Sequence, residues 1–533
     1  MVGDHVYLRQ NVCVRPLVAR WNATEQLIPP LQAALNLKNV QIELLESYLE
    51  APEYHWRAAR TPALMGGPWV DVEPGRVAEV ERQLAGLLRT QKSRLQLAAD
   101  VESLDALLRE RAKGGSLVSL YALVPQSLRG YVELVYDAAH QAAARYLEPL
   151  LYRSSHYDTS LQSIALSLIH TDRRAAQFTT PVLESDPAFC LRVPFSHPLL
   201  DELFSMKARV GDFGALCEQF ALDRDQAATF RALFGSAPPA PPVRTEVGPG
   251  VRIRYFGHAC VLVETGQCSV LFDPVISYDY SASPHRFTYR DLPERLDFIA
   301  LTHVHKDHLN LETLLQLRHR ANAIVIPKNG GGAIQDPSFR LMLAAIGFRN
   351  IIELERLEPL GLPGGGELMA LPFLGEHGDL DIQSKAAYLL RFGACATLCA
   401  ADSANVESAL YDVLRPSLGE IDVLFLGMEC VGAPLTTTYG GILLRPLSRS
   451  FDQERRTTGS DYAGAMGIID RVRPKHVYIY AMGLEPWLGH LLPIEANRDA
   501  RGVHDSDRVV AECRRRGIVA SRPHCALELV LPS

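Results

Sequence analysis

Apolar residues recur at three- and four-residue spacing through residues 77–107 (VAEVERQLAGLLRTQKSRLQLAADVESLDAL), the period of an amphipathic helix. Residues 27–49 (LIPPLQAALNLKNVQIELLESYL) repeat that spacing with an interruption at two prolines, after a short strand pattern in residues 5–17 (HVYLRQNVCVRPL). The Ala- and Leu-rich residues 131–151 (YVELVYDAAHQAAARYLEPLL) predict another helix, and residues 212–234 predict helix again. Beyond residue 245 the pattern changes to short alternating or wholly apolar runs, the mark of strands. VRIRYFGHACVLVET and SVLFDP flank Gly266 as a hairpin would, followed by LDFIAL and AIVIP. Strands and helices then alternate through ELMALPF, AAYLLRFGACATLCAAD, IDVLFLG and HVYIYAM to a closing strand. Between the two regimes lies GSAPPAPP at 235–242, with four prolines in eight residues. The pattern predicts an α/β chain: a mainly helical α+β N-terminal domain over 1–234, a Pro-rich linker over 235–244, and a layered αβ sandwich over 245–533.

Length agrees, since 533 residues exceed one core and suggest two to four domains at about 150 residues each. A net charge of −7 argues against nucleic acid as the main partner. No run of about eighteen apolar residues predicts a membrane span, and the first residues lack the apolar segment of a signal peptide. Ten cysteines spread from Cys13 to Cys525 without a C-x-x-C pair predict free thiols in a reducing cytoplasm. No phosphate loop and no G-x-S-x-G are present; Gly364 to Gly366 read as a turn, because no Lys-Ser/Thr follows. Cys395 and Cys399 read as core.

The chemistry gathers in THVHKDH at 302–308. Three of the chain's 17 histidines and one aspartate fall within six residues, directly after the apolar run LDFIAL. His303 and His305 are two apart, so an extended backbone aims both the same way. Asp307 and His308 follow where the chain turns into a helix, giving two neighbouring subsites. Imidazoles and a carboxylate delivered to one point by a buried strand predict metal binding. His140, His156, His170 and His197 have no such partners.

The order of motifs resembles the metallo-β-lactamase superfold: a glycine-histidine strand (GHACVLVE), an aspartate-ended strand (LFDP), then H-x-H-x-D-H. That resemblance covers about residues 245–533 and implies an αββα sandwich with a dinuclear site, without choosing the reaction. It also implies two further ligands. One follows a mid-domain strand, where Glu376 and His377 are both candidates; the other is a bridging aspartate, placed at Asp402. A histidine at the first place gives a dizinc hydrolase, the alternative function. A glutamate adds a carboxylate and a harder donor, which favour iron. No histidine stands at 481–483 for the superfold's last ligand, which leaves His490 as a candidate and otherwise an open coordination position. His258 reads as packing under the site, and Glu429 as lining the pocket or closing a loop.

The segment GEHGDLDIQSKAAYLL, Asp402 beyond it and the large N-terminal domain together resemble the chloramphenicol-pathway-type β-hydroxylases over the whole chain. The resemblance implies a diiron, oxygen-dependent monooxygenase that β-hydroxylates an amino acid tethered to a nonribosomal peptide synthetase carrier domain, in antibiotic biosynthesis. In that family a glutamate replaces the usual histidine, a place that Glu376 fills and where it acts in catalysis. His303, His305 and Glu376 would hold one iron, Asp307 and His308 the other, with Asp402 between. The resemblance further implies dioxygen, an external electron donor with its reductase, and a homodimer. A flavodiiron-type reductase would carry a glutamate where His305 stands, and a purely carrier-binding protein would not need the intact ligand set.

Overall fold

Two seven-stranded sheets face each other across the C-terminal half of the chain. The first runs Ile351–Leu354, Ala321–Pro327, Leu296–Ala300, Ser269–Phe272, Cys260–Glu264, Val251–Gly257 and Leu527–Leu531. The second runs Pro359–Leu362, Gly366–Leu371, Ala387–Phe392, Cys395–Cys399, Val423–Gly427, His476–Tyr480 and Val519–Ser521. This computed structural model describes residues 4–239, 247–248, 250–282, 284–492 and 500–532. Each sheet is antiparallel on one side and parallel on the other, and the direction switches at Ser269–Phe272 and at Cys395–Cys399. The parallel strands therefore deliver Asp273, Thr302 and Asp402 at their C-terminal ends, where open α/β sheets place their sites. A bridge between His303 and Lys385 ties the loop after Leu296–Ala300 to the second sheet's side.

These strands read as near-continuous hydrophobic runs because both faces are covered. Between the sheets pack Val261, Phe272, Tyr388, Cys399, Phe425 and Tyr480. The second sheet's outer face is covered by the helices Ala409–Leu418, Tyr462–Val472 and Arg501–Arg515. The first sheet's outer face carries the helix Leu311–Leu317, and its cluster continues into Val14, Ile164, Phe195 and Phe204. The N-terminal half thus packs directly on the helix that follows the histidine motif.

That half contains a four-stranded sheet, in the order Trp21–Asn22, Val12–Val18, Gln162–Leu168, Phe189–Leu191, and a three-stranded one that pairs His5–Leu8 with Gly211–Asp212 and Phe234–Gly235. Residues 27–49 are helical from Pro30, as expected, with one turn of π-helix at Leu37–Ile42. The long helix expected over 77–107 is two helices, Val77–Thr90 and Lys92–Arg111, divided at Gln91. Residues 212–234 form two short helices, Phe213–Gln219 and Arg224–Arg231, each capped by an aspartate side chain.

Residues 131–151 correct the sequence reading. They form a hairpin, Val132–Tyr136 against Ala142–Tyr146, followed by a short helix at Glu148–Leu151. Asp137 closes the turn, its Oδ1 accepting from the N–H groups of Ala139 at 2.8 Å and Gln141 at 2.7 Å. Alanine's helix propensity is a weak preference, and packing of the alternate residues Val132, Leu134 and Tyr146 into a core shared with Ile334, Leu435 and Tyr439 overrides it. Of the expected linker, residues 240–244 lie outside the described residues. All ten cysteines are free, and no described helix is long and apolar enough to cross a membrane.

Candidate metal centre

The loop after Leu296–Ala300 brings His303, His305, Asp307 and His308 to the sheet ends, where His303 and His308 are wholly buried. Glu376 and Asp402 join them from the second sheet's loops. Three groups of donor atoms lie within 4.8 Å of one another: His303, His305 and Glu376; His303, His308 and Asp402; and His258, Asp307 and His308. Shared histidines make these one continuous cluster with two ends. The structure thus brings together all six residues singled out from the sequence, and adds His258.

Hydrogen bonds fix the rings. Thr302 donates its N–H to Asp273 Oδ1 at 2.8 Å and its hydroxyl to Oδ2 at 2.6 Å. His308 Nδ1–H donates to the same Oδ2 at 2.8 Å, and His303 Nδ1 meets Thr302 Oγ1 at 2.9 Å. Both histidines therefore present Nε2 inward, and neither Nε2 has a hydrogen-bond partner. His305 is turned the other way. Its Nε2 meets the Tyr439 hydroxyl at 2.7 Å, and its Nδ1 contacts Glu376 Oε1. Imidazoles that bind metal are held in this manner, through the nitrogen not offered to the ion.

Backbone strain accompanies the arrangement. Glu376, His258, Asp273 and Ala401 all have positive φ, at 75°, 52°, 38° and 51°. Such values in non-glycine residues cost free energy and persist where the surroundings impose them. Gly375 precedes Glu376 at φ +84°, and a Cβ there would stand 2.6 Å from Ala404 Cβ. Gly427, at the end of its strand, leaves room for Asp402, whose Oδ1 would lie 2.3 Å from an added Cβ.

Charges compensate across the cluster. Burial alone would raise the Asp307 carboxyl, but the hydrogen bond from His258 Nε2 at 3.1 Å and the charge of His308 hold it below the usual range. Burial likewise would raise Glu376, and the charges of His305, His377 and His303 outweigh it. His303, by contrast, is lowered by burial first and by the neighbouring His308 second. Asp402 Oδ1 is buried without a hydrogen-bond partner, as are the inward nitrogens of His303 and His308, while Glu376 Oε2 contacts His377 Nδ1. Unpaired donors of this kind, converging from several elements, fit cations between them. Nitrogen and oxygen donors with three carboxylates and no thiolate suit iron.

The adjacent candidate, His377, stacks on the His305 ring with centroids 4.6 Å apart and belongs to none of the three donor groups. His490 is likewise outside the cluster, its Nε2 lying 2.8 Å from Arg174 Nη1. Glu429 closes a loop, accepting from the N–H groups of Val431 and Gly432. His258 is the residue the sequence reading undervalued. Its carbonyl accepts from Ala481 N at 3.0 Å, so it stands at the strand end where no histidine follows.

The geometry, an αββα sandwich with a cluster of histidine and carboxylate donors at its strand ends, defines the metallo-β-lactamase fold. A model of the diiron non-heme β-hydroxylase N-terminal domain matches residues 7–238, and a β-lactamase superfamily domain model matches 252–360. The chain is 37% identical over 526 residues to the 4-amino-L-phenylalanyl-[CmlP-peptidyl-carrier-protein] 3-hydroxylase of Streptomyces venezuelae, covering 97% of this chain and 98% of that protein. It also superposes on the crystal structure of CmlA, a diiron β-hydroxylase from Streptomyces venezuelae, with a TM-score of 0.93 and 36% identity, over 99% of this chain and 100% of that one. A Glu-to-Asp variant of CmlA superposes with a TM-score of 0.90, also at 36% identity, over 99% of this chain and 100% of that one. This chain belongs to the diiron non-heme β-hydroxylases. It is an enzyme of that family, and the expected fold class stands.

Proposed function

We propose that this enzyme uses dioxygen and electrons from a separate reductase to hydroxylate the β-carbon of an amino acid tethered to a nonribosomal peptide synthetase carrier domain, in the cytoplasm, for antibiotic biosynthesis. Residues 245–533 would form the catalytic domain, and residues 1–234, joined by the segment 235–244, a domain that serves as a dimer or carrier-protein interface. His303 Nε2, His305 Nδ1 and Glu376 would hold one iron, and Asp307 and His308 the other, with Asp402 between them. The bound irons supply the oxygen activation and the oxidation.

The chain's own residues do the positioning. Thr302 and Asp273 hold His303 and His308 in the tautomers that leave Nε2 free. Tyr439 engages His305 at Nε2 instead, which leaves its Nδ1 to face Glu376. The partly accessible members of the cluster are Asp307 and Asp402, with side chains 15% and 14% exposed. A substrate would approach on that side, since the remaining ligands are sealed by both sheets and the N-terminal half. The relative from Streptomyces venezuelae acts on a peptidyl-carrier-protein-bound amino acid, which supports the same substrate class here.

The observation that carries the reading is Glu376. It faces His305 directly and lies 3.9 Å from His303 Nε2, while the neighbouring His377 lies outside the donor groups. Reconstitution with ferrous iron without air, followed by reductant, oxygen and a panel of aminoacylated carrier domains, is expected to add one oxygen atom to a tethered amino acid. Glu376→His is expected to keep the fold and metal binding while losing that product. Ester or amide cleavage with zinc, and no product with iron, would overturn the reading.

A further inference from the structure

The histidines of the cluster are not all held from the same side. His303 and His308 are fixed through Thr302 and Asp273, at strand ends of the first sheet. His305 is fixed by the Tyr439 hydroxyl, 2.7 Å from its Nε2. Tyr439 is buried and ends the short helix Leu435–Tyr439. That helix begins on contacts within the C-terminal half: Leu435 N–H donates to the Arg455 carbonyl at 2.9 Å, and Thr436 N–H to Asp452 Oδ1 at 2.8 Å. Its far end is held from the N-terminal half. Gln26 Nε2 donates to the Thr438 carbonyl at 2.7 Å, and Asn39 Nδ2 to the Gly441 carbonyl at 3.2 Å. Asn36 Nδ2 in turn donates to Gln26 Oε1 at 3.2 Å. Carbonyls at a helix end lack partners within the helix, and here two amide side chains supply them on either side of Tyr439. The two segments approach closely, since a Cβ at Gly441 would stand 2.3 Å from Asn36 Oδ1 and 2.9 Å from Val40 Cγ2. Asn39 and Val40 lie in the π turn Leu37–Ile42, a distortion frequent at functional sites.

We infer that the N-terminal half is a working part of the metal centre, with Gln26 and Asn39 as positioning residues that act through Tyr439 on His305. This rests on the reading of His305 Nδ1 as an iron ligand given under Proposed function. An imidazole that offers Nδ1 to a cation carries its proton on Nε2, and the group accepting from Nε2 sets the orientation of the ring. Here that acceptor is the Tyr439 oxygen. Displacing Tyr439 frees the ring to rotate, which takes Nδ1 away from Glu376. The supports of His303 and His308 lie within the C-terminal half and stay in place. Asp307 likewise takes its hydrogen bond from His258, at 3.1 Å in the same half. The His305 end of the cluster thus depends on the N-terminal half, and the Asp307–His308 end does not.

Titration of the full-length protein with ferrous iron in the absence of oxygen, followed by Mössbauer spectra of the loaded protein, reads the two ends separately. Gln26→Ala and Asn39→Ala are each expected to weaken one of the two ferrous ions by about tenfold, the low end of what losing a ligand's outer support costs. One of the two diferrous signals is expected to change and the other to stay native, with melting temperatures close to native. Tyr439→Phe is expected to show the same one-ended loss. Adding Gln26→Ala to it should bring little more, as for residues acting in series. Native iron binding and spectra in both Gln26→Ala and Asn39→Ala, with the loss present in Tyr439→Phe, overturn the inference and leave the functional reading standing. Equal weakening of both ions, or a fully additive loss in the double variant, overturns it in favour of a general structural role. Two native-like ions in Tyr439→Phe overturn the inference together with the assignment of His305 as a ligand.

Discussion

Gly427 decides where Asp402 sits. A methyl group there would lie 2.3 Å from Asp402 Oδ1 and 2.8 Å from the Ala401 carbonyl, and backbone cannot yield as a flexible side chain can. Gly427→Ala is therefore expected to swing the Asp402 carboxylate away and to weaken metal binding by about 10- to 100-fold, the usual effect of disturbing a ligand's support. Metal titration of the purified variant checks this. Four ligand candidates were legible in the sequence because the strand end delivers them consecutively. The residues alone left Glu376 and His377 open because they are neighbours, and only the family resemblance chose Glu376, whose carboxylate lies within 4.8 Å of the donor atoms of His303 and His305. Asp273, Tyr439 and His258 act through contacts between residues 35 to 134 positions apart in the chain. Their signals were the aspartate-ended LFDP and the glycine-histidine pair, neither of which specifies a partner.

The helix Leu311–Leu317 follows the histidine motif and carries the bond between the two halves. Glu312 accepts from Arg174 through both oxygens, at 2.9 and 2.7 Å, and from the Tyr278 hydroxyl at 2.7 Å. Both charged side chains are nearly inaccessible, so Arg174→Met strands a buried carboxylate and is expected to cost about 3–5 kcal/mol. Thermal melts measure it, and replacing Glu312 as well should return part of the loss. On the same helix Gln316 accepts from the buried Lys207, whose Nζ also lies against the Tyr278 and Tyr289 rings. Burial lowers Lys207 to about 7 from 10.5. Between those values the unfolded chain binds the extra proton, so this group makes stability rise with pH over that window. The melting-temperature difference, Lys207→Met minus native, is accordingly expected to fall from about pH 7 to about pH 10. The sandwich strands were readable as elements because buried parallel strands are continuous apolar runs. The hairpin at 132–146 was not, because alanine-rich alternation resembles a helix until its partners are known.

The whole chain reads as one enclosure around one chemistry. The sheets supply candidate ligands at their C-terminal ends, and the N-terminal half seals the first sheet's helix and, through Gln26, holds the segment bearing Tyr439. The change from helical to strand patterning exposed the two halves in the sequence. Their shared core did not show there, since apolar positions announce burial without naming the surface that buries them. The central claim is that Glu376 makes this sandwich an oxygen-using iron enzyme. Single turnover of the reduced, iron-loaded protein under isotopically heavy dioxygen, with an aminoacylated carrier domain, tests it most directly. One heavy oxygen atom on the β-carbon of the still-tethered amino acid is the expected result; oxygen drawn from water, or release of the amino acid without oxidation, would contradict it.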